Sequence, residues 1–202
     1  SRALYFARIP RPSETLERTL RRLAAKVARA ALDSGASIVN DVSALGEPGM
    51  ANLVAERKCP VILMHMLGTP LTMQKDPVYG DVVEDIARYL DGRVRFAESK
   101  GISRDRIIID PGIGFGKTAE HNLEILRRLG ELRSLGLPIL VGPSRKAFIG
   151  KVLDLPVGER LEGTLAAVTA AVLNGADIVR VHDVEECRKA ALVAWAIKNG
   201  TS

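Results

Sequence analysis

At 202 residues, 47% apolar and 26% charged, the chain has the length of one domain, at most two, and an ordinary globular composition. That excludes a disordered tail, a collagen-like fibre and a disulfide scaffold. The net charge of +5 invites a nucleic-acid reading, but residues 1–33 hold the whole surplus, and with 4% aromatics there is no basic stripe interleaved with stacking rings.

Residues 13–33 read as one helix, with Ser13 as N-cap and Leu16, Leu20, Leu23, Val27 and Ala31 on one apolar face. Five short β-branched runs follow: SIVND at 37–41, PVILMH at 60–65, RIIID at 106–110, PILVGP at 138–143 and DIVRVH at 177–182. Nearly continuous apolar runs of this kind fit strands buried on both faces. Between them lie helical stripes: Val82, Val83, Ile86, Leu90 and Val94, closed by Gly101; Leu123, Leu126, Leu129 and Leu132, ending near Gly136; Leu161, Leu165, Val168, Ala171 and Val172; and an Ala-rich segment from Val184 to Asn199, stopped by Gly200. Alternation of this sort predicts parallel βαβ units, as an open doubly wound sheet or a (β/α)8 barrel. Both place function at the C-terminal ends of the strands, where this sequence keeps its Asn, Asp, His, Lys and Arg.

Gly116-Lys117-Thr118 looks like the end of a phosphate-binding P-loop, but that motif needs Gly at position 111, which is Pro. Asp110, at a strand end, can accept two N–H donors from a planar heterocycle, or can cap the next helix. Asn40 offers a donor and an acceptor to a mixed heterocycle edge, or can make an Asx turn. Ser144-Arg145-Lys146 sets two cations after a strand, which suits an anionic or carbonyl-bearing substrate. Arg180 and His182, two apart, share a strand face and point to a phosphate-type oxyanion. His65 reads as a satisfied core histidine, and His121 as a solvent-facing residue at a helix start. Cys59 and Cys187 fit no metal-ligand spacing and read as reduced thiols. No apolar run approaches the ~20 residues that span a bilayer, and no basic-then-apolar leader opens the chain. No membrane or nucleic-acid partner is expected, and the expected location is cytoplasmic.

GASIVNDVSAL (35–45), VILMHM (61–66), IDPGIGFGKT (109–118), VGPSRKAFIG (141–150) and GTLAAVTAAVLNGADIVRVHDV (163–184) occur in one order. Together they resemble dihydropteroate synthase, the folate-pathway transferase that sulfonamides target. The resemblance implies a (β/α)8 barrel of which strands four to eight are visible. It implies condensation of 4-aminobenzoate with 6-hydroxymethyl-7,8-dihydropterin pyrophosphate, releasing pyrophosphate. Asn40 and Asp110 would grip the pterin, and Val42, Met64, Phe115 and Gly142 would line its slot. Lys146, with Arg145 beside it, would face the pterin carbonyl and the aminobenzoate. Arg180 and His182 would hold the pyrophosphate. Lys146, Asp110, Arg180 and His182 are thus the expected catalytic set. A homodimer is implied, and Mg2+, whose ligand lies in a first loop not seen here. A pterin-dependent corrinoid methyltransferase is the second reading.

The family's loops N-x-T-P-D-S-F and E-S-T-R-P and its strand ending in Asp-Thr are absent. Residues 25–34 match the family's third helix, whereas residues 1–23 look like an N-terminal extension preceding the barrel part at 24–202. The expectation is that roughly a hundred residues are missing between Leu23 and Ala25, since a barrel takes about 250. This conflicts with the single helix read from the periodicity. A truly continuous chain would instead suit a non-catalytic pterin- or anion-binding subunit. Ala147 also departs from the family, where Ser is common after the lysine.

Overall fold

The computed structural model describes residues 14–68, 73 and 77–200, with side chains from residue 23 onward. The expected Ser13 cap and the segment before it lie outside the described residues.

Five parallel strands form where the apolar runs stand: β1 (Val39–Asp41), β2 (Val61–Met64), β3 (Ile107–Asp110), β4 (Leu140–Val141) and β5 (Ile178–Val179). Their order follows the chain. β1 pairs β2 and β2 pairs β3, Ile109 bridges Ile139 at the start of β4, and β4 pairs β5. The last strand is shorter than its sequence run, so Arg180 and His182 lie just past it.

Seven α-helices flank these strands among the described residues: α1 (Glu14–Asp33), α2 (Met50–Arg57), α3 (Val82–Ser99), α4 (Ala119–Arg127), α5 (Ala147–Leu153), α6 (Leu161–Leu173) and α7 (Val184–Asn199). α1 runs through residues 23–25 as uninterrupted helix. Its packing face differs from the expected one. Ala24, Ala28 and Leu32 pack on the core, while Leu23 and Val27 stand 40% and 66% exposed. The small side chains of Ala24 and Ala28, one turn apart, face the core with Leu32, and the ion pairs Arg29–Glu56 and Arg57–Asp33 join α1 to α2. The expected fourth-helix stripe divides at Arg128: α4 ends, and a 3-10 segment runs Leu129–Leu135. Leu129 and Leu132 are buried, but Leu123 turns outward.

The core is the layer between strands and helices, with Leu63, Ile86, Leu90, Ile107, Ile109 and Ile139 fully enclosed. In a flat sheet β1 and β5 would lie about 19 Å apart, beyond the span of one side chain. Yet Arg180, after β5, donates to the Asn40 amide oxygen on β1 at 2.7 Å. The sheet is therefore strongly curved, and its C-terminal ends converge.

Candidate functional site

Asp110 ends β3 and is fully buried. One carboxylate oxygen accepts the Gly112 N–H at 2.7 Å, closing the turn that leaves the strand. The other accepts Arg180 Nη2 at 2.9 Å. The next helix does not use Asp110, because Thr118 caps α4 instead: its hydroxyl accepts the His121 N–H. Burial pushes the Asp110 carboxyl up, and Arg180 opposes this first among its neighbours.

Arg180 thus joins Asp110 to Asn40. It also lies against Gly142, where a Cβ would come within 2.8 Å of Nη2, so only glycine leaves the guanidinium this path. The neighbouring Asp41, not Asn40, makes the Asx turn: it accepts from Ser43 N, Ser43 Oγ and Leu45 N at 2.7–2.9 Å. Asn40 is thereby left to the site. Met64, wholly buried, stands in register with Asp110, and Val42 is 40% exposed just past β1.

Residues 112–116 fold back over the end of β2. At Gly112 (φ 71°) a Cβ would meet the His65 carbonyl oxygen at 1.9 Å, so the loop sits there only because the side chain is absent. Asn122, buried on α4, accepts the Gly114 N–H at 2.7 Å and donates to the Thr118 carbonyl at 2.6 Å, fixing the far side. Lys146 Nζ stands 4.4 Å from the centre of the Phe115 ring, a cation–π contact. Burial holds its amine below the usual lysine range, and Arg180 adds to that.

Ser144 accepts the His182 N–H at 3.2 Å and lies 2.9 Å from His182 Nδ1. A hydroxyl that accepts there has its own proton to give to Nδ1. Which of the two donates follows the tautomer of His182, and Nε2 is left on the other side of the ring. Arg145 sits in left-handed backbone (φ 56°) and spends its fork on Asp183, holding that carboxyl below the usual range. The structure thus brings Asn40, Asp110, Gly142 and Arg180 into one network, with Phe115 and Lys146 paired beside it. Ser144 and His182 form a second pair, and Arg145 braces the loop after β5.

Two buried residues were not assigned to the site from the sequence. Lys117, 3% exposed, donates to the Phe115 carbonyl at 2.9 Å and lies 2.9 Å from Nδ1 of buried His65. Asn122 is the other. The abortive P-loop tail was the available signal for Lys117, and a polar residue inside an apolar helix face was the signal for Asn122. His121 is not solvent-facing as expected: it is half-buried, edge-on to Tyr79 at 5.0 Å.

Among the described residues no cluster of His, Cys, Asp and Glu could hold a metal ion. Asp110 is held by Arg180, Asp183 by Arg145 and Asp41 by its turn, while Lys117, Lys146 and Arg180 crowd the centre with positive charge. The Mg2+ that the resemblance implies is assigned to a first loop outside this sequence, and the residues described supply no ligand for it. Cys59 and Cys187 are buried free thiols. Among the described residues no helix is long and apolar enough to cross a membrane.

Residues 23–182 match the family model described as pterin binding enzyme. A dihydropteroate synthase of Synechocystis is 50% identical over 175 residues, 86% of this chain and 61% of the relative. That of Escherichia coli K12 is 44% identical over 171 residues, 85% of this chain and 61% of the relative. A Yersinia pestis dihydropteroate synthase structure with a sulfonamide complex superimposes with a TM-score of 0.85 at 39% identity, covering 87% of this chain and 64% of that one. A Xanthomonas albilineans enzyme in complex with 7,8-dihydropteroate gives 0.81 at 40% identity, covering 88% and 67%. The chain spans about three-fifths of the length of these curated relatives. With the match running through the strand ends that build the site, this chain belongs to the pterin binding enzyme family and is similar to its dihydropteroate synthases.

Proposed function

We propose that this chain carries strands four to eight of a (β/α)8 barrel and joins 4-aminobenzoate to 6-hydroxymethyl-7,8-dihydropterin pyrophosphate, releasing pyrophosphate. One observation carries the reading: the acceptors of Asn40 and Asp110 converge on the Arg180 guanidinium at a curved sheet's C-terminal edge. One site thereby holds acceptors for the N–H groups of a heterocycle and a cation for a diphosphate.

The arrangement also gives an order of events. Arg180 occupies the acceptors that the pterin edge requires, so the arriving heterocycle takes its place. The freed guanidinium turns to the diphosphate, joined by the imidazole of His182. As the methylene C–O bond breaks, the electron pair leaves with pyrophosphate, where these donors stabilise the developing charge. The amine lone pair of 4-aminobenzoate then attacks the cationic methylene, and the new ammonium loses its proton. Lys146, braced on Phe115, faces the pterin carbonyl and the incoming acid. No step is routed through Mg2+. A second copy of the chain is the remaining proposed partner, on the exposed apolar residues Leu192, Val193, Trp195 and Ile197 of α7.

The test is pyrophosphate release from the pterin substrate with and without 4-aminobenzoate, beside calorimetric titration of the substrate. Asp110→Asn is expected to weaken pterin binding about 10–100-fold, the worth of a charge-assisted hydrogen bond. Arg180→Ala is expected to weaken pyrophosphate binding. Unchanged affinity in both variants overturns the assignment. Binding without turnover favours a pterin-binding subunit, and methyl transfer to a corrinoid favours the methyltransferase relative.

A further inference from the structure

Beneath the glycine-bearing loop lies a charge that the proposed reaction does not use. Lys117 is almost wholly enclosed, anchored by the Phe115 carbonyl and by Nδ1 of His65. His65 is itself buried, edge-on to Tyr89 at 4.9 Å and 6.0 Å from Tyr79. An ammonium sealed in this way costs stability, and an apolar side chain would fill the space without that cost. Burial lowers Lys117 to about 7; Asp110 draws it back up and Lys146 pushes it further down. His65 joins the two: its backbone N–H donates to the Asp110 carbonyl at 2.9 Å and its Nδ1 lies 2.9 Å from Lys117 Nζ; Lys117 is also one of the groups that lower the buried Asp110 carboxyl.

Among the cations around Asp110, which include Lys146, Arg180 and Lys117 differ in kind. Arg180 stands in the site and, on the reading above, leaves when the heterocycle arrives. Lys117 is held under the loop by two fixed acceptors. A buried carboxylate that loses its only cation takes up a proton, and a protonated Asp110 offers one acceptor fewer to the ligand.

We propose that Lys117 is a positioning residue for the pterin site: a fixed, buried counter-charge that keeps Asp110 ionised after Arg180 has moved to the anion, while its bond to the Phe115 carbonyl holds the loop. Only the departure of Arg180 rests on the function proposed above. The link between Lys117 and Asp110 belongs to the free protein. The other charged and titratable groups facing this pair are His65 from β2, Lys146 after β4, Arg180 after β5, and Tyr79 and Tyr89 around His65.

The experiment follows the Asp110 carboxyl carbon by 13C NMR against pH, without ligand, its signal assigned by its loss in Asp110→Asn. In Lys117→Met the Asp110 midpoint moves up by roughly one pH unit or more, and in Lys117→Arg it stays near the wild-type value. The wild-type signal also shows a second step as Lys117 loses its proton. An unmoved midpoint in folded Lys117→Met overturns the proposal. Should that variant not fold, absence of the second step in the wild type overturns it. Calorimetry with 6-hydroxymethylpterin pyrophosphate across pH 5 to 9 supplies the other arm. The acid limb of affinity is expected to move upward in Lys117→Met, and a loss equal at every pH would mark a merely structural lysine and overturn the positioning role. If the wild type binds no pterin at any pH, the proposed function falls, while the carboxyl titration still decides the Lys117–Asp110 link.

Discussion

At the scale of single residues, two buried bases make stability rise with pH, each in its own window. His65 is lowered to about 3 by burial first and by Lys117 second. Between 6.5 and that value the unfolded chain binds a proton that the folded chain refuses, so its contribution is full above 6.5 and lost on acidification. The loss is about 1.4 kcal/mol per pH unit once the unfolded histidine is charged. Lys117 acts in a different window. From about 7 to 10.5 the unfolded lysine holds a proton that the folded one has lost, so stability rises with pH there. Urea unfolding from pH 4 to 10 checks both: His65→Gln flattens the acid slope, and Lys117→Met flattens the alkaline rise. Gly112→Ala makes a third case. Its Cβ would collide with the backbone of β2, whereas Gly101, also at positive φ, faces open space. Gly101→Ala should cost about 1–2 kcal/mol of backbone strain, and Gly112→Ala distinctly more, with the pterin site lost as well. Asn40, Asp110 and Arg180, which the structure joins in one network, were legible in the sequence because they stand at the ends of apolar runs. Lys117 and Asn122 were not, because each is recognised only by the loop that covers it, and no local spacing encodes that cover.

At the scale of elements, β1 to β4 were legible because a mostly buried apolar run has no polar alternation to misread, whereas β5, expected to be buried on both faces, has Ile178 38% exposed. Helices α2 and α5, at eight and seven residues, are too short to display a period and went unread. The stripe Leu123, Leu126, Leu129, Leu132 repeats every three residues, not every 3.6. That is the period of a 3-10 helix, and the chain adopts one at Leu129–Leu135. Leu123, still on α-helical geometry, rotates off the buried face. The joint is secured by Arg128, which reaches Glu124, Glu131 and Asp81. Asp81 also caps α3, accepting from Val83 N and Glu84 N. One carboxylate thus ends one element and ties down another. Asp81→Ala is expected to lower the melting temperature by a few degrees, and more than Arg128→Ala, because it removes both functions. Equal losses in a thermal scan would mean that the cap contributes nothing beyond the pair.

At the scale of the whole molecule, the described residues leave two surfaces bare. β1 is an edge strand among the described residues, and α1, which packs against α2, leaves Leu23 and Val27 exposed. On the other flank α7 exposes Leu192, Val193, Trp195 and Ile197. Exposed strand edges and apolar ridges are where chains associate. The expected result in size-exclusion chromatography with light scattering is a species larger than one chain that persists at high salt, because its contacts are apolar. Trp195→Glu should shift it towards the single chain; a monomer at every concentration would remove the second copy from the proposed partners. Intact mass, set against the 202 residues, tests whether a further hundred residues stand between Leu23 and Ala25. The composition that pointed to one ordinary domain was a weak guide here, because it cannot register that the chain spans about three-fifths of the length of its curated relatives.

The reach of Arg180 across the sheet has a mechanical meaning. Five strands bent into an arc have no covalent reason to hold their curvature, and the guanidinium that links the last strand to the first acts as the chord of that arc. A ligand that takes Asn40 and Asp110 removes the chord, and its own body must then keep the mouth from widening. A pterin without its diphosphate would loosen the rim, and the complete substrate would tighten it. Amide hydrogen exchange at residues 40–45 should therefore rise with the bare heterocycle and fall with the diphosphate, making the rim a gauge of whether both halves of the substrate are aboard.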